Sequence, residues 1–324
     1  MSGFLHGGLY GLGIVTVLMS VTAFALYFER KLAARMQARM GPTMVGPIGL
    51  LQPIADVLKL LQKEDIVPAK ADRILFNVAP PLAAMTAIGA AAVIPFSPEI
   101  VASELNVGVL FVLAIGAVTV LPVFMAGWGS NNKFALLGGM RAIAQSVSYE
   151  VPLVLAAMVP VILAGSLNVA DIVRWQHEHH WLAVWPMFLG IPAFVLFMLA
   201  ALAEANRIPF DIPEAESELV AGITTEYTGM KFALFLMGEY VHTLVASALA
   251  AALFLGGWDG PFAPGLHWMV AKTLFLFAAI YWLRWTLLRF RADQLMRLCW
   301  VWLVPTGVLL VGAAGAWVVF GGGP

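Results

Sequence analysis

Residues 204–226 gather six carboxylates, Glu204, Asp211, Glu214, Glu216, Glu218 and Glu226, around a single cation, Arg207. Carboxyl groups crowded into a partly dry site repel one another, and lost hydration disfavours their charged forms. Both effects raise their pKa towards neutrality. Such groups take up and release protons near the working pH, and as a coupled set they titrate together. The chemistry on offer is therefore a proton relay. A wet acidic loop that does nothing is the competing reading of the same residues. Glu150 and Glu239 weigh against it, one near the start of the fourth apolar run and one well inside the sixth. An acid within a membrane span is costly and marks a proton or ligand path by default, although either one alone could be a salt-bridged or snorkelling side chain. Glu214 and Glu218 are four apart and would share a face if helical, with Glu216 opposite. Pro209 and Pro213 break any helix just upstream, which leaves Phe210 and Asp211 on irregular backbone able to line a cavity.

The elements that must position these groups are membrane spans. The 324 residues are 61% hydrophobic and only 11% charged, with mean hydropathy +0.88. A soluble domain carries about 25% charged residues. Eight continuous apolar windows reach the ~20 residues a crossing helix needs: 8–28, 74–96, 107–129, 147–166, 183–203, 232–256, 266–288 and 300–320. A β-barrel needs short alternating segments instead, so residues 1–324 read as a single all-α integral membrane domain. Residues 1–8 lack Lys and Arg, so no cleavable leader is expected. The net charge of −1 leaves no basic stripe for nucleic acid. Cys299 is the lone cysteine, so neither an intrachain disulfide nor a cysteine-ligated cluster is expected, and any redox centre belongs to a partner.

Of the 18 Lys and Arg residues, all but Arg174 and Lys272 fall in 29–73, 130–146, 207–231 and 284–297. By the positive-inside rule these four connections are cytoplasmic and both termini lie outside. The opposite connections, near 97–106, 167–182 and 257–265, read as short and poor in chemistry. Pro80-Pro81 predicts a kink in the second span. In 52–63, apolar Ile54, Leu58 and Leu61 recur on one stripe and Gln52, Asp56, Lys59 and Lys63 on another, which predicts an amphipathic surface helix. That helix either anchors the chain or takes part in function, and Asp56 either extends the acidic chain or pairs with Lys59. Arg30, Arg35 and Arg39 follow the first span at about helical spacing; they contact headgroups or face the polar head of a ligand. His177, His179 and His180 lack the spacing that puts two ligands on one helix face, and no metal site is assigned to them.

Five segments resemble one family throughout: Glu29-Arg30-Lys31 with Arg-Met-Gly-Pro at 39–42; Leu51 to Asp56; Gly127 to Glu150; Glu204 to Tyr240, including the run AEANRIPFDIPEAESELVAG; and Asp293 to Met296. The chain is similar to the quinone-chamber membrane subunits of proton-translocating NADH:quinone oxidoreductase, respiratory complex I (the H subunit in bacteria, subunit 1 in mitochondria). Ala292, Leu288 and Val301 depart from that family's usual pattern in the last inner loop.

The resemblance implies a subunit that forms the membrane side of a quinone chamber and its opening to lipid. It implies, too, the relay of protonation through acids to antiporter-like, proton-pumping subunits. Carried over by motif, Arg35, Arg39, Asp56, Arg207, Phe210 and Asp211 lie near the quinone. Asp56, Glu150, Glu204, Glu214, Glu216, Glu218, Glu226 and Glu239 form the relay. Quinone is the substrate, nothing is covalently bound, and NADH, FMN and iron–sulfur clusters belong to partner subunits. Other expected partners are small membrane subunits and lipids, in the inner (cytoplasmic) membrane. The homologous anchor of a proton- or sodium-translocating hydrogenase or formate hydrogenlyase is the alternative; the match across 204–240 favours the quinone enzyme. A stand-alone transporter would show repeats and broken helices at the midplane, and the sequence shows neither.

Overall fold

The computed structural model describes residues 2–101, 103–182, 186–214 and 216–322, with side chains except at 2–12, 14, 187, 216, 217, 321 and 322. Among the described residues every regular element is a helix. Helix α1 (Ser2–Met36) carries the Glu-Arg-Lys triplet near its end. Surface helix α2 (Gln52–Gln62) starts with Pro53 in its first turn, a position where the missing N–H is no loss. Helix α3 (Arg73–Ala91) is capped by Asp72, which accepts from the N–H groups of Ile74 and Leu75, and it continues through Pro80 and Pro81. Then come α4 (Gly108–Val118), α5 (Val120–Gly129), α6 (Lys133–Ala164), α7 (Val169–His179) and α8 (Met187–Glu204). The last group is α9 (Glu216–Leu219), α10 (Gly229–Phe254), α11 (Leu266–Thr286), α12 (Ala292–Arg297) and α13 (Val304–Trp317).

Six helical stretches among the described residues are long and apolar enough to cross a membrane, with Phe188–Glu204 a shorter apolar helix. The eight windows read from the sequence fall on these and on α1, with 183–185 outside the described residues. The chain is a multi-pass helical membrane protein. Two connections differ from expectation. Residues 133–146 are the first four turns of α6, started by the Asn132 side chain on the Phe134 N–H; Gly138, Gly139, Arg141, Gln145 and Ser146 dilute hydropathy there without breaking the helix. Residues 169–179 form α7, capped by Asn168. It is polar enough to escape a span search.

Helix α10 is the centre of the bundle. It packs on α3, α11, α8 and α2, while α6 packs on α5, α8 and α13. From Val241 to Phe254 nearly every α10 side chain is buried, with Ala250, Ala251, Ala252, Leu253 and Phe254 fully enclosed. By contrast Leu309, Val319 and Phe320 are exposed on the last helix, an apolar surface suited to lipid.

The C-terminal end of α10 is locked by side chains from its neighbours. Gln176, fully buried on α7, donates to the carbonyls of Ala252 (2.8 Å) and Leu253 (3.1 Å). Its Oε1 accepts from the N–H groups of Leu182 (3.2 Å) and Gly256 (3.0 Å). Lys272 Nζ donates to the carbonyls of Leu255, Gly257 and Asp259 at 2.5, 3.0 and 2.5 Å and lies 4.0 Å over the Trp181 ring. Burial alone pushes the Asp259 carboxyl up, but hydrogen bonds from Trp181 and His177 hold it below the usual range. Terminal helix carbonyls have no partner in their own helix, and here side chains supply them. Each buried polar group left unpaired costs about 1–3 kcal/mol. Gln176→Leu is therefore expected to destabilise the solubilised protein by at least ~2 kcal/mol in thermal unfolding; an unchanged midpoint would show that this clamp is dispensable.

Candidate functional site

Helix α8 ends where Asn206 turns left-handed, at φ 49°, a conformation Asn tolerates better than most residues. The chain then runs irregularly from 205 to 214, as the two prolines require. Gln145 of α6, also buried, holds this loop: its Nε2 lies 2.7 Å from the Ala203 carbonyl, 3.0 Å from Asn206 Oδ1 and 2.9 Å from the Phe210 carbonyl. Gly138 lets the loop come down on α6, because a Cβ there would sit 2.8 Å from the Pro213 oxygen. Phe210 is buried and stacks on Phe290, with ring centroids 5.6 Å apart.

Between loop, α8 and α10 lies a cavity of about 60 Å³ lined by Tyr149, Glu204, Asn206, Glu214, Glu239 and His242, among others. A water needs roughly 10–15 Å³ of such volume, so the cavity has room for several. Glu204 reaches it from the last residue of α8; its Oε1 lies 3.5 Å from His242 Nε2. Its carboxylate lies against α4 at Gly116, where a Cβ would come within 2.5 Å of Oε1. Glu150, four residues after Ser146 on α6, accepts that residue's hydroxyl hydrogen bond.

Burial raises the Glu214 carboxyl well above its ordinary range, and the charge of Glu239 and a hydrogen bond with it add to the effect. Asp211 is raised too, chiefly by burial, against the opposing pull of Arg289; its Oδ1 makes no hydrogen bond with the protein. Glu218 goes the other way. It is half exposed, and hydrogen bonding and ion pairing with Arg141 at 2.6 Å hold it below the usual range. Glu214 and Glu218 do not share a helix face, because Glu214 lies in a turn outside the helix Glu216–Leu219; one turns inward to Glu239 and the other outward to Arg141. The Glu216 side chain lies outside the described residues. Glu226 accepts from Asn132 Nδ2 at 2.6 Å.

A second polar group continues from the chamber towards α2. Arg207 is 4% exposed. Its Nη2 lies 3.3 Å from Glu239 Oε2 without forming a hydrogen bond, and its guanidinium sits 4.6 Å from the Tyr240 ring centroid and 5.7 Å from that of Tyr281. The Tyr240 hydroxyl donates to Glu29, which also pairs with Arg284. Next to Glu29, Arg30 pairs with Asp56 of α2 at 2.5 Å; Gln52 donates to the same carboxylate at 3.0 Å and Lys59 lies 4.0 Å away. Arg35 and Arg39 are exposed, and Arg39 donates to Gln37. The structure thus joins Glu204, Glu214 and Glu239 around one chamber, sets Arg207 against Glu239, links Asp56 to that group through Arg30 and Glu29 of α1, and leaves Arg35, Arg39 and Glu218 at the surface.

Sequence reasoning missed Glu29, Tyr240, Tyr281, Arg284, His242, Tyr149 and Gln145 as site residues. Glu29 looks like a mere marker of the end of a span. Only His242 offered a local signal: a histidine three residues after an acid in an apolar run.

A polytopic helical membrane protein with a carboxylate-lined chamber at one end of its bundle is the class this arrangement defines. The chain belongs to the NADH dehydrogenase family, whose model matches residues 10–314. It is 48% identical over 323 residues to the H subunit of the NADH-quinone oxidoreductase of Thermomicrobium roseum, covering 95% of this chain and 94% of that protein. Identity to the corresponding protein of Dehalococcoides mccartyi, of the same name, is 48% over 298 residues, 92% of this chain and 81% of that one. For the like-named protein of Rhodospirillum centenum it is 47% over 313 residues, 92% and 91%.

Two outcomes follow from this geometry. Because its folded pKa is raised, Glu214 holds its proton in the native state after the unfolded chain has lost it, so its contribution to stability falls as pH rises above about 4. Glu214→Gln is expected to match the parent protein in thermal stability at acid pH and to exceed it near neutrality; equal stability throughout would mean that Glu214 titrates normally. Gly116→Ala is expected to displace the Glu204 carboxylate while α4 stays folded, visible as a shifted Glu204 side chain in a structure of the variant.

Proposed function

We propose that this chain is the part of NADH:quinone oxidoreductase that forms the membrane side of the quinone chamber and couples quinone reduction to proton movement through its carboxylates. The family and the relatives' names support the complex I assignment. The relay reading rests on one observation above all: Glu204, Glu214 and Glu239 line a common cavity, with room for several waters, that also touches His242. Carboxylates held apart by apolar packing would have no route for a proton. Several within one polar cavity have one, because each transfer needs only a hydrogen bond or a single bridging water.

The quinone head enters, in this reading, between the end of α1, α2 and the 205–214 loop. The Arg30–Asp56 pair and the Glu29–Arg284–Tyr240 cluster form the polar wall, with Arg35 and Arg39 at the opening. Arg207, Phe210 and Asp211 lie behind that wall and connect it to the chamber. Electrons arrive from FMN and iron–sulfur clusters in peripheral-arm subunits, which receive them from NADH. A change of charge on the quinone then alters the field at Arg207 and Glu239, and protons shift along Glu214, Glu204 and Glu150 towards antiporter-like neighbours. In this reading the protein sits in the inner membrane with its basic connections facing the cytoplasm and both termini outside.

The test uses the native complex in membrane vesicles. Glu204→Gln is expected to cut NADH-driven quinone reduction and proton uptake by roughly ten-fold or more while the assembled complex stays at normal abundance on native gels. Full activity would remove Glu204 from the relay. A photoreactive quinone analogue is expected to label residues within 30–61 or 204–226; labelling confined to the opposite connections would place the quinone elsewhere. Hydrogen evolution in place of NADH-dependent quinone reduction would favour the hydrogenase-type anchor.

A further inference from the structure

His242 sits at the meeting point of two cavities. Besides the polar chamber, it borders a smaller one of about 10 Å³ lined by apolar side chains of α3, α4, α6, α8 and α10, including Ala90, Val112, Leu153 and Phe197, with Glu204 again on the wall. The imidazole is about nine-tenths buried, yet neither ring nitrogen makes a hydrogen bond with the protein. This sets it apart from its helix. Thr243 and Ser247, the neighbouring polar residues of α10, each satisfy their hydroxyl on a carbonyl four residues back. A buried polar side chain with no partner calls for an explanation.

Placement supplies one. His242 is three residues after Glu239, so both project from one face of α10 into the chamber. Its Nε2 lies 3.5 Å from Glu204 Oε1, a gap that a small ring rotation closes to hydrogen-bond length. The ionisable groups around this space are Glu204 from α8, Tyr149 from α6, Glu239 from α10 itself and Glu214 from the loop; α3 and α4 turn only Ala83, Ala90, Val112, Leu113, Thr119 and similar neutral residues towards it.

We propose that His242 carries protons between the loop-side acids, Glu214 and Glu239, and the in-span acid Glu204. Imidazole suits the task because it accepts a proton on one nitrogen while releasing one from the other. A proton leaves the carboxyl O–H of Glu239 or Glu214, directly or through a water of the chamber, and forms an N–H bond on the ring. The ring becomes an imidazolium facing the Glu204 carboxylate. The Nε2–H bond then breaks as an O–H bond forms on Glu204, the ring returns to neutral, and Glu239 or Glu214 is left as the carboxylate. No electrons are transferred and no co-reactant is needed. The assignment rests on the relay reading of the chamber.

The test compares His242→Gln, which keeps polarity and hydrogen bonding but cannot hold the charge, with Glu204→Gln, both in the native complex. His242→Gln is expected to lower NADH-driven proton uptake by roughly ten-fold, to change the pH profile of the residual rate, and to leave the amount of assembled complex unaltered. His242→Glu, which restores a titrating group, is expected to recover part of the rate with a profile displaced to lower pH. If Glu204→Gln is defective but His242→Gln keeps the parent rate, the role of His242 is refuted and the relay stands. The role is refuted equally if the rate falls with no change of pH profile, because a structural role alone would do that. If both variants are fully active, the relay reading itself fails.

Discussion

A guanidinium with almost no access to solvent has to be held by its neighbours, and Arg207 is that group. An isolated charge in a low-dielectric interior is expensive, and removing one partner of a buried pair costs about 3–5 kcal/mol. Arg207 meets this with Glu239 on one side and the faces of Tyr240 and Tyr281 on another. Tyr240 in turn is fixed by Glu29, and Glu29 by Arg284. One charge therefore dictates the relative positions of α1, α10, α11 and the loop after α8. It also places Glu239 where it raises Glu214.

That arrangement makes the chamber sensitive to charge. Glu239 belongs both to the pair with Arg207 and to the cavity, so the proposed coupling between the α1–α2 side and the acids needs one shared side chain and no large rearrangement. The interaction of two unit charges a few ångströms apart is several kcal/mol at an effective dielectric of about 20. That is enough to move the protonation of a carboxylic acid whose pKa already lies above its ordinary range. Glu218 shows what happens without burial: with Arg141 beside it in solvent, it behaves as a plain surface anion.

Apolar runs and proline positions made the spans legible in the sequence, because each is a local property; the start of α6 and the polar helix α7 were read as connections instead. Asp72, Asn132 and Asn168 start the helices that follow them, and Pro209 and Pro213 keep the acidic loop irregular. The inward turn of Glu214 and the outward turn of Glu218 were not legible. They depend on where Arg141 of α6 and Glu239 of α10 arrive after packing, which spacing along one segment does not encode. Gly116 is a similar case: an unremarkable glycine in an apolar helix turns out to leave the space that the Glu204 carboxylate occupies.

The clamp formed by Gln176 and Lys272 differs from the chamber in how its polar atoms are treated. At the C-terminal end Gln176 uses both its oxygen and its nitrogen, and Lys272 reaches three carbonyls. A fully bonded network of this kind has a single arrangement and rigidifies its surroundings. Around the chamber, His242 in the middle of α10 and Arg207 and Asp211 in the loop after α8 each keep buried polar atoms that bond to nothing in the protein. Unsatisfied groups there cost stability, but they leave hydrogen bonds and protons free to be exchanged. If the chamber relays protons as proposed, a bonded clamp beside an under-bonded cavity lets charge redistribute while the backbone of α10 stays in place.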